Sequence, residues 1–117
     1  MQRNLSDAAV AAISPDTRFA CAYEAALVLA TMAIAVAGYR LKGPGHHWLT
    51  FEALPLAIPG KQCAVDAQYF NACRRLRNVL SYESADVVGE REVGELLSRV
   101  MAFQGRVEEW IKRTLTH

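Results

Sequence analysis

Apolar side chains recur at helical spacing along most of this chain, and no segment shows the apolar–polar alternation of a strand. The pattern is clearest towards the end, where apolar residues return every three or four positions from Val93 to Ile111. Charged residues fill the positions between them, which is typical of a helix with one buried face. The pattern predicts a long helix over about residues 90–114.

A second helix is predicted over about residues 16–37, in an alanine-rich sequence whose positions 25–38 carry no charge. Ser14 is the expected N-cap, Pro15 the first helical residue, and Gly38 the stop signal. The uncharged run is shorter than the ~20 residues that a membrane span needs, and six of its 14 residues are alanine. We therefore interpret this segment as a central buried helix and expect no membrane association.

Three further helices complete the predicted fold. A short one over residues 46–54 ends at Pro55, a longer one covers about residues 63–83, and a small N-terminal helix covers residues 7–13. The fold class is therefore all-α, an up-and-down bundle of four main helices with the short extra one. At 117 residues the chain is one domain, residues 1–117.

The charge balance and the cysteine spacing argue against a basic nucleic-acid-binding surface and against a cysteine metal site. Lys and Arg number 13 against 12 Asp and Glu, so no overall basic field attracts nucleic acid and any such binding would be local. Cys21, Cys63 and Cys73 lack metal-ligand spacing, and we interpret them as reduced core residues of a cytoplasmic protein. The adjacent His46 and His47 would point about 100° apart on a helix, so a capping or surface role is expected and no metal or cofactor.

The helix over residues 63–83 is the best candidate for a site. Its apolar stripe, expected to be buried, consists of Val65, Tyr69, Cys73, Leu76 and Leu80. Arg77 lies at the edge of this stripe, so its stem can follow the core while its head reaches a cleft. Glu24, a charge within the apolar helix before it, is the candidate partner of Arg77; a solvated Glu24 is the alternative.

Four residues on this helix form what we call the candidate anion site: Arg74, Arg77, Asn78 and Tyr82. In one interpretation the arginine forks hold a phosphate, and the amide and phenol add hydrogen bonds. In the other, Arg74 and the nearby Arg75 are solvated, Arg77 pairs with a carboxylate, and Tyr82 caps the helix. The spacing alone does not separate the two.

A family resemblance favours the first interpretation. Residues 77–82 read Arg-Asn-Val-Leu-Ser-Tyr, which resembles the signature of the HEPN superfamily of small helical bundles. That signature is an arginine, a polar residue that is often asparagine, three variable residues and a histidine. The resemblance includes residues 22–26, 38–40 and 45–47, and it covers roughly residues 16–115.

The resemblance implies a two-fold dimer, and it shows that this chain lacks the histidine of the ribonuclease members. HEPN relatives commonly pair as two-fold dimers with the signature arginines facing a shared cleft, and Met101, Phe103 and Trp110 could supply the contact here. Ribonuclease members carry histidine where this chain has Tyr82. A phenol with a pKa of about 10 exchanges protons poorly near neutral pH, so we expect the chain not to be an enzyme.

Three functional hypotheses follow. The first is a non-catalytic HEPN-like binding module whose candidate anion site holds a nucleotide or RNA phosphate, or which works beside a nucleotidyltransferase in a toxin–antitoxin-like pair. The second is a metal-independent ribonuclease that uses Tyr82, or His46 or His47 folded into the cleft. The third is a purely structural homodimer. Family analogy supports the first two, and the arginine–asparagine half of the motif favours the first.

Overall fold

A computed structural model describes residues 14–40, 46–82 and 88–116, with backbone only for residues 46–48 and 78–82. These segments form four helices and no strand: α1 Pro15–Val36, α2 His46–Ala57, α3 Lys61–Tyr82 and α4 Glu90–Leu115. The all-α prediction is confirmed. The predicted helix over residues 7–13 lies outside the described residues.

Helix α1 is the centre of the packing. It contacts each of the other three helices, whereas α2 also packs on α3 and α4 packs mainly on α1. Ala22, Ala25, Ala26 and Ala30 are fully buried along it, and their small side chains let the neighbouring helices approach closely. The predicted central buried helix is therefore confirmed. By length and a mean hydropathy of 1.9, α1 could also cross a membrane, and 56% of its apolar window is buried within this fold.

The ends of α1 follow the predicted signals. Ser14 Oγ accepts a hydrogen bond of 3.3 Å from the Thr17 backbone N–H, and Pro15 is the first helical residue. At the other end Gly38 has a φ of 95°, a conformation that glycine adopts without strain. The backbone N–H of Tyr39 then closes the helix on the Ile34 carbonyl.

Replacing Ser14 with alanine is expected to lower the free energy of unfolding by about 1 kcal/mol, because one of the first N–H groups of α1 loses its acceptor. Urea unfolding followed by circular dichroism measures the change. Ser14→Asp is the control, since its carboxylate can accept the same bond and should restore most of the loss. Equal stability of Ser14→Ala and the natural protein would show that the cap contributes nothing.

Helix α2 is longer than predicted. The sequence predicts an end at Pro55, but the helix continues to Ala57 with the proline inside it. A proline in the last turn removes only one backbone bond, and the Ile58 N–H still reaches the Leu54 carbonyl at 3.0 Å. The turn into α3 is made at Gly60, whose φ is 131°.

An aromatic cluster joins the four helices. The ring of Phe70 on α3 lies 5.4 Å from Phe51 on α2 and 5.0 Å from Phe103 on α4, measured between centroids. Tyr23 on α1 packs edge-on against Phe51 at 5.9 Å. Phe103 is only 1% exposed, so its predicted role in a dimer contact is wrong. Its ring fills the core because it faces Phe70.

The buried face of α3 is not the predicted stripe. Val65 is 47% exposed, and Tyr69 and Leu76 are only half-buried. The face that packs inward is rotated by about 100°, one residue position, and has Phe70 at its centre. Its buried members are Cys63, Asp66, Ala67, Phe70 and Cys73. The large ring of Phe70 decides the orientation, and the rotation carries Arg74 and Arg77 towards the interior.

Candidate functional site

The Tyr23 phenol lies at the contact between α1 and α3. Tyr23 is 3% exposed, and its hydroxyl has no hydrogen-bond partner in the part of the chain that the structure describes. Burial raises the pKa of this phenol to about 12, against opposing contributions from Arg74 and Arg77 and with a reinforcing one from Glu24. These three charged side chains therefore lie near enough to the hydroxyl to act on its pKa. We call Tyr23, Glu24, Arg74 and Arg77 the Tyr23 cluster.

Two residues of α3 also have buried polar atoms without a hydrogen-bond partner among the described residues. Arg74 is half-buried, and its Nε is enclosed without an acceptor among the described residues. Asn71, nearly one turn earlier, donates from Nδ2 to Glu52 Oε1 at 3.0 Å, while its buried Oδ1 has no donor there. Leaving a polar atom buried and unpaired costs about 1–3 kcal/mol. Tyr23 on α1 and the two α3 residues therefore hold hydrogen-bonding capacity that no described residue uses.

The structure brings together three of the five residues singled out from the sequence. Arg74 and Arg77, both half-buried, act on the Tyr23 phenol together with Glu24. Arg75 is exposed, as predicted for a residue that points away. One interpretation of the sequence had Arg74 solvated, and the rotation of α3 about Phe70 explains why it is half-buried.

For the remaining predicted residues the structure describes the backbone alone. Helix α3 includes the backbone of Asn78 and Tyr82 and helix α2 that of His46 and His47, but the structure does not describe their side chains. Their proposed roles stay predictions. Within the described segments no group of three or more His, Cys, Asp and Glu residues is placed to hold a metal ion.

Sequence reasoning missed Tyr23 as a site residue. The relevant signal is a phenol in the largely apolar sequence of α1, because a buried hydroxyl needs a partner. The sequence predicts its neighbour Glu24 either as a partner of Arg77 or as a solvated charge. The role of Tyr23 depends on which face of α1 meets α3, and helical periodicity within one segment does not determine that.

A second polar pair was also missed. Asp66 on α3 is 1% exposed and accepts a 2.6 Å hydrogen bond from Arg106 Nη2 on α4. Gln62 Nε2 donates to the other carboxylate oxygen at 3.2 Å. The sequence placed Asp66 on no face in particular, because a charged residue at the centre of a buried stripe contradicts the usual pattern. The pair with Arg106 makes its burial tolerable.

Two of the described cysteines, Cys63 and Cys73, are poor nucleophiles. Burial raises the pKa of the Cys63 and Cys73 thiols to about 11 each, so both are protonated at neutral pH. None of the three cysteines forms a disulfide with another described cysteine, and Cys63 and Cys73 are buried as predicted, whereas Cys21 is half-buried. Tyr69 forms a hydrogen bond with Cys73. The guanidinium carbon of Arg99 lies 4.3 Å from the centroid of the Tyr69 ring. These contacts are structural.

The Tyr23 cluster is suited to binding and poorly suited to proton transfer. Among the described groups, the pKa shifts move Tyr23, Cys63 and Cys73 further above neutrality. A general acid or base works best with a pKa near the operating pH. Two guanidinium groups and a phenol, by contrast, are the donors that a phosphate or carboxylate accepts.

Comparisons of the chain with protein-family models, with curated proteins and with solved structures find no match.

Proposed function

We propose that this chain is a non-catalytic HEPN-like binding module that holds a phosphate-bearing ligand, a nucleotide or an RNA phosphate, at the Tyr23 cluster. One observation carries the proposal. The hydroxyl of Tyr23 and the Nε of Arg74 are buried without partners among the described residues, beside the second guanidinium of Arg77. A phosphate oxygen accepts hydrogen bonds from both kinds of donor.

The charge of the cluster favours a single phosphate group. Two arginines and Glu24 leave a formal excess of one positive charge, so one bound anion brings the site close to neutrality. The partial burial of Arg74 and Tyr23 lowers the effective dielectric, which strengthens a charge-assisted hydrogen bond. The whole chain carries a formal charge of only +1, which favours a nucleotide or one phosphate of a single strand over a long duplex.

The resemblance supports the rest of the proposal. By analogy with HEPN relatives, the proposed module forms a homodimer in the cytoplasm. Asn78 and Tyr82 then add hydrogen-bond donors to the cleft that faces the arginines. It works beside a nucleotidyltransferase-type partner in a toxin–antitoxin-like pair. Met101 and Leu56 are 64% and 71% exposed and offer apolar surface for such contacts.

The proposal predicts that Tyr23→Phe has opposite effects on the free and the bound protein. Removing a buried hydroxyl that lacks a partner should raise the free energy of unfolding of the ligand-free protein by up to about 1–3 kcal/mol. The same change removes a hydroxyl that donates to the bound ligand. The increase in the free energy of unfolding that a nucleotide confers should therefore be smaller in the variant. Urea unfolding with and without saturating nucleotide measures both.

Tyr39→Phe is the matched control, because Tyr39 is 54% exposed and its hydroxyl is solvated. It should change neither quantity. A Tyr23→Phe variant that is less stable without ligand and binds nucleotide unchanged would contradict the proposal. RNA cleavage that disappears in Arg77→Ala would instead establish the ribonuclease hypothesis.

A further inference from the structure

A groove of about 650 Å³ lies between the start of α3 and the second half of α4. We call it the α3–α4 groove. Its apolar walls are formed by Ile58, Cys63, Met101, Phe103, Val107 and Trp110. It shares no residue with the Tyr23 cluster. Its volume falls within the roughly 300–1,000 Å³ that is usual for small-molecule sites.

The groove exists because α3 and α4 meet through side chains and their backbones approach closely at few points. Phe70 and Phe103 hold the two helices apart at the core, and Asp66 and Arg106 form the next contact along. Between Phe103 and Arg106, α4 has Gly105, which also lines the groove and contributes no side chain to fill it. The described side chains therefore leave the groove open.

Arg106 gives the groove a specific polar group. Its Nη2 is bound to the buried Asp66, while its Nε and Nη1 make no hydrogen bond to any described residue. The side chain is 40% exposed and lines the groove. Asp66 therefore acts as a positioning residue that fixes one edge of the guanidinium and leaves the rest of it open to a ligand.

The charges around the groove favour an anion. Lys61, Arg106 and Arg113 line it, against Asp66 and Glu109. The oxygens of Asp66 already accept from Arg106 and Gln62, and the residue is 1% exposed, so it is not available to a cationic ligand.

We infer that the α3–α4 groove binds an amphipathic carboxylate, an apolar chain or ring system that ends in one carboxylate group. The hydrocarbon part lies against the aliphatic and aromatic walls around Phe103 and Trp110, where burial of apolar surface supplies most of the affinity. The carboxylate accepts hydrogen bonds from the open edge of Arg106. This site is separate from the proposed phosphate site, so each can be lost without the other.

Two glycines of α4 provide the test. Gly105 lines the groove, Gly94 does not, and neither has an atom within 4 Å of a Cβ built on it. Leucine at either position also favours the helix over glycine. With decanoate as the probe, below its micelle concentration, calorimetric titration of Gly105→Leu should show affinity reduced at least about tenfold. Gly94→Leu should bind like the natural protein, and neither variant should unfold at a lower urea concentration.

The neutral probe decanol tests the role of the charge. The natural protein should bind decanoate at least about tenfold more tightly than decanol, and Arg106→Gln should reduce that preference while keeping a donor for Asp66. Equal affinity for the two probes would overturn the inference, as would equal decanoate binding by the two leucine variants. A groove that serves as a contact between two copies of the chain would also overturn it. In that case Gly105→Leu would abolish self-association in light scattering, and decanoate would not bind.

Discussion

Replacing Phe70 with alanine should lower the free energy of unfolding by about 3–5 kcal/mol, the largest effect expected from a single change in this chain. Phe70 is 0% exposed, and its ring contacts Phe51, Tyr69 and Phe103, so the substitution opens a cavity among three helices. Domains of this size are stable by about 5–15 kcal/mol, so the variant will be close to unfolding. Urea unfolding at low temperature measures the loss.

Val65→Ala is the control for Phe70→Ala. Val65 lies on the same helix and belongs to the stripe that periodicity alone would bury, yet it is 47% exposed. Its truncation should change the free energy of unfolding by no more than about 0.5 kcal/mol. A large loss from Val65→Ala with a small loss from Phe70→Ala would show that α3 packs in the orientation expected from the sequence.

Removing either arginine of the Tyr23 cluster should weaken binding of a nucleotide by roughly 1.5–3 kcal/mol, the range for a hydrogen bond to a charged group. Arg74→Ala removes a half-buried guanidinium whose Nε is enclosed, and Arg77→Ala removes the second charge acting on Tyr23. Calorimetric titration against a panel of nucleotides, with sulfate for comparison, gives both affinities.

Arg75→Ala separates a specific site from diffuse attraction. Arg75 carries the same charge between Arg74 and Arg77 but is exposed and lies on the outer face of α3. Its removal should change nucleotide affinity by a few tenths of a kcal/mol at most, because exposed charges are screened. Equal losses in Arg75→Ala and Arg77→Ala would show that only the net charge of the helix matters.

Local signals predict the helices well. The N-cap Ser14, the proline after it and the stop at Gly38 define α1 in both sequence and structure. The spacing of apolar residues between Val93 and Val107 likewise predicts the buried face of α4. Such features depend on residues within one or two turns of each other, which a single sequence contains in full.

The orientation of α3 could not be predicted in the same way. Its sequence holds two apolar arcs, one through Val65 and Leu76 and one through Phe70, and Asp66 makes the second arc look polar. Only the pairing of Asp66 with Arg106, 40 residues further along the chain, shows that this carboxylate can be buried. The spacing of apolar residues along one helix does not show which charged residue of another helix pairs with it.

The sequence predicts only part of the candidate site, because the rest of the site depends on contacts between helices. Residue type and the resemblance identify Arg74 and Arg77, because guanidinium groups suit phosphate wherever they lie. The contribution of Tyr23 arises from the contact of α1 with α3, and the α3–α4 groove arises from the separation of two helices near Gly105. Both features are properties of packing.

A crystal structure of the protein grown with a saturating nucleotide would locate the phosphate directly. The proposed function predicts a phosphate oxygen within about 2.7–3.2 Å of Arg74 Nε, with the Tyr23 hydroxyl and the Arg77 guanidinium as further donors to the same group. A phosphate bound elsewhere on the surface, with Tyr23 and Arg74 unchanged and unoccupied beside it, would contradict the assignment of this cluster as the binding site.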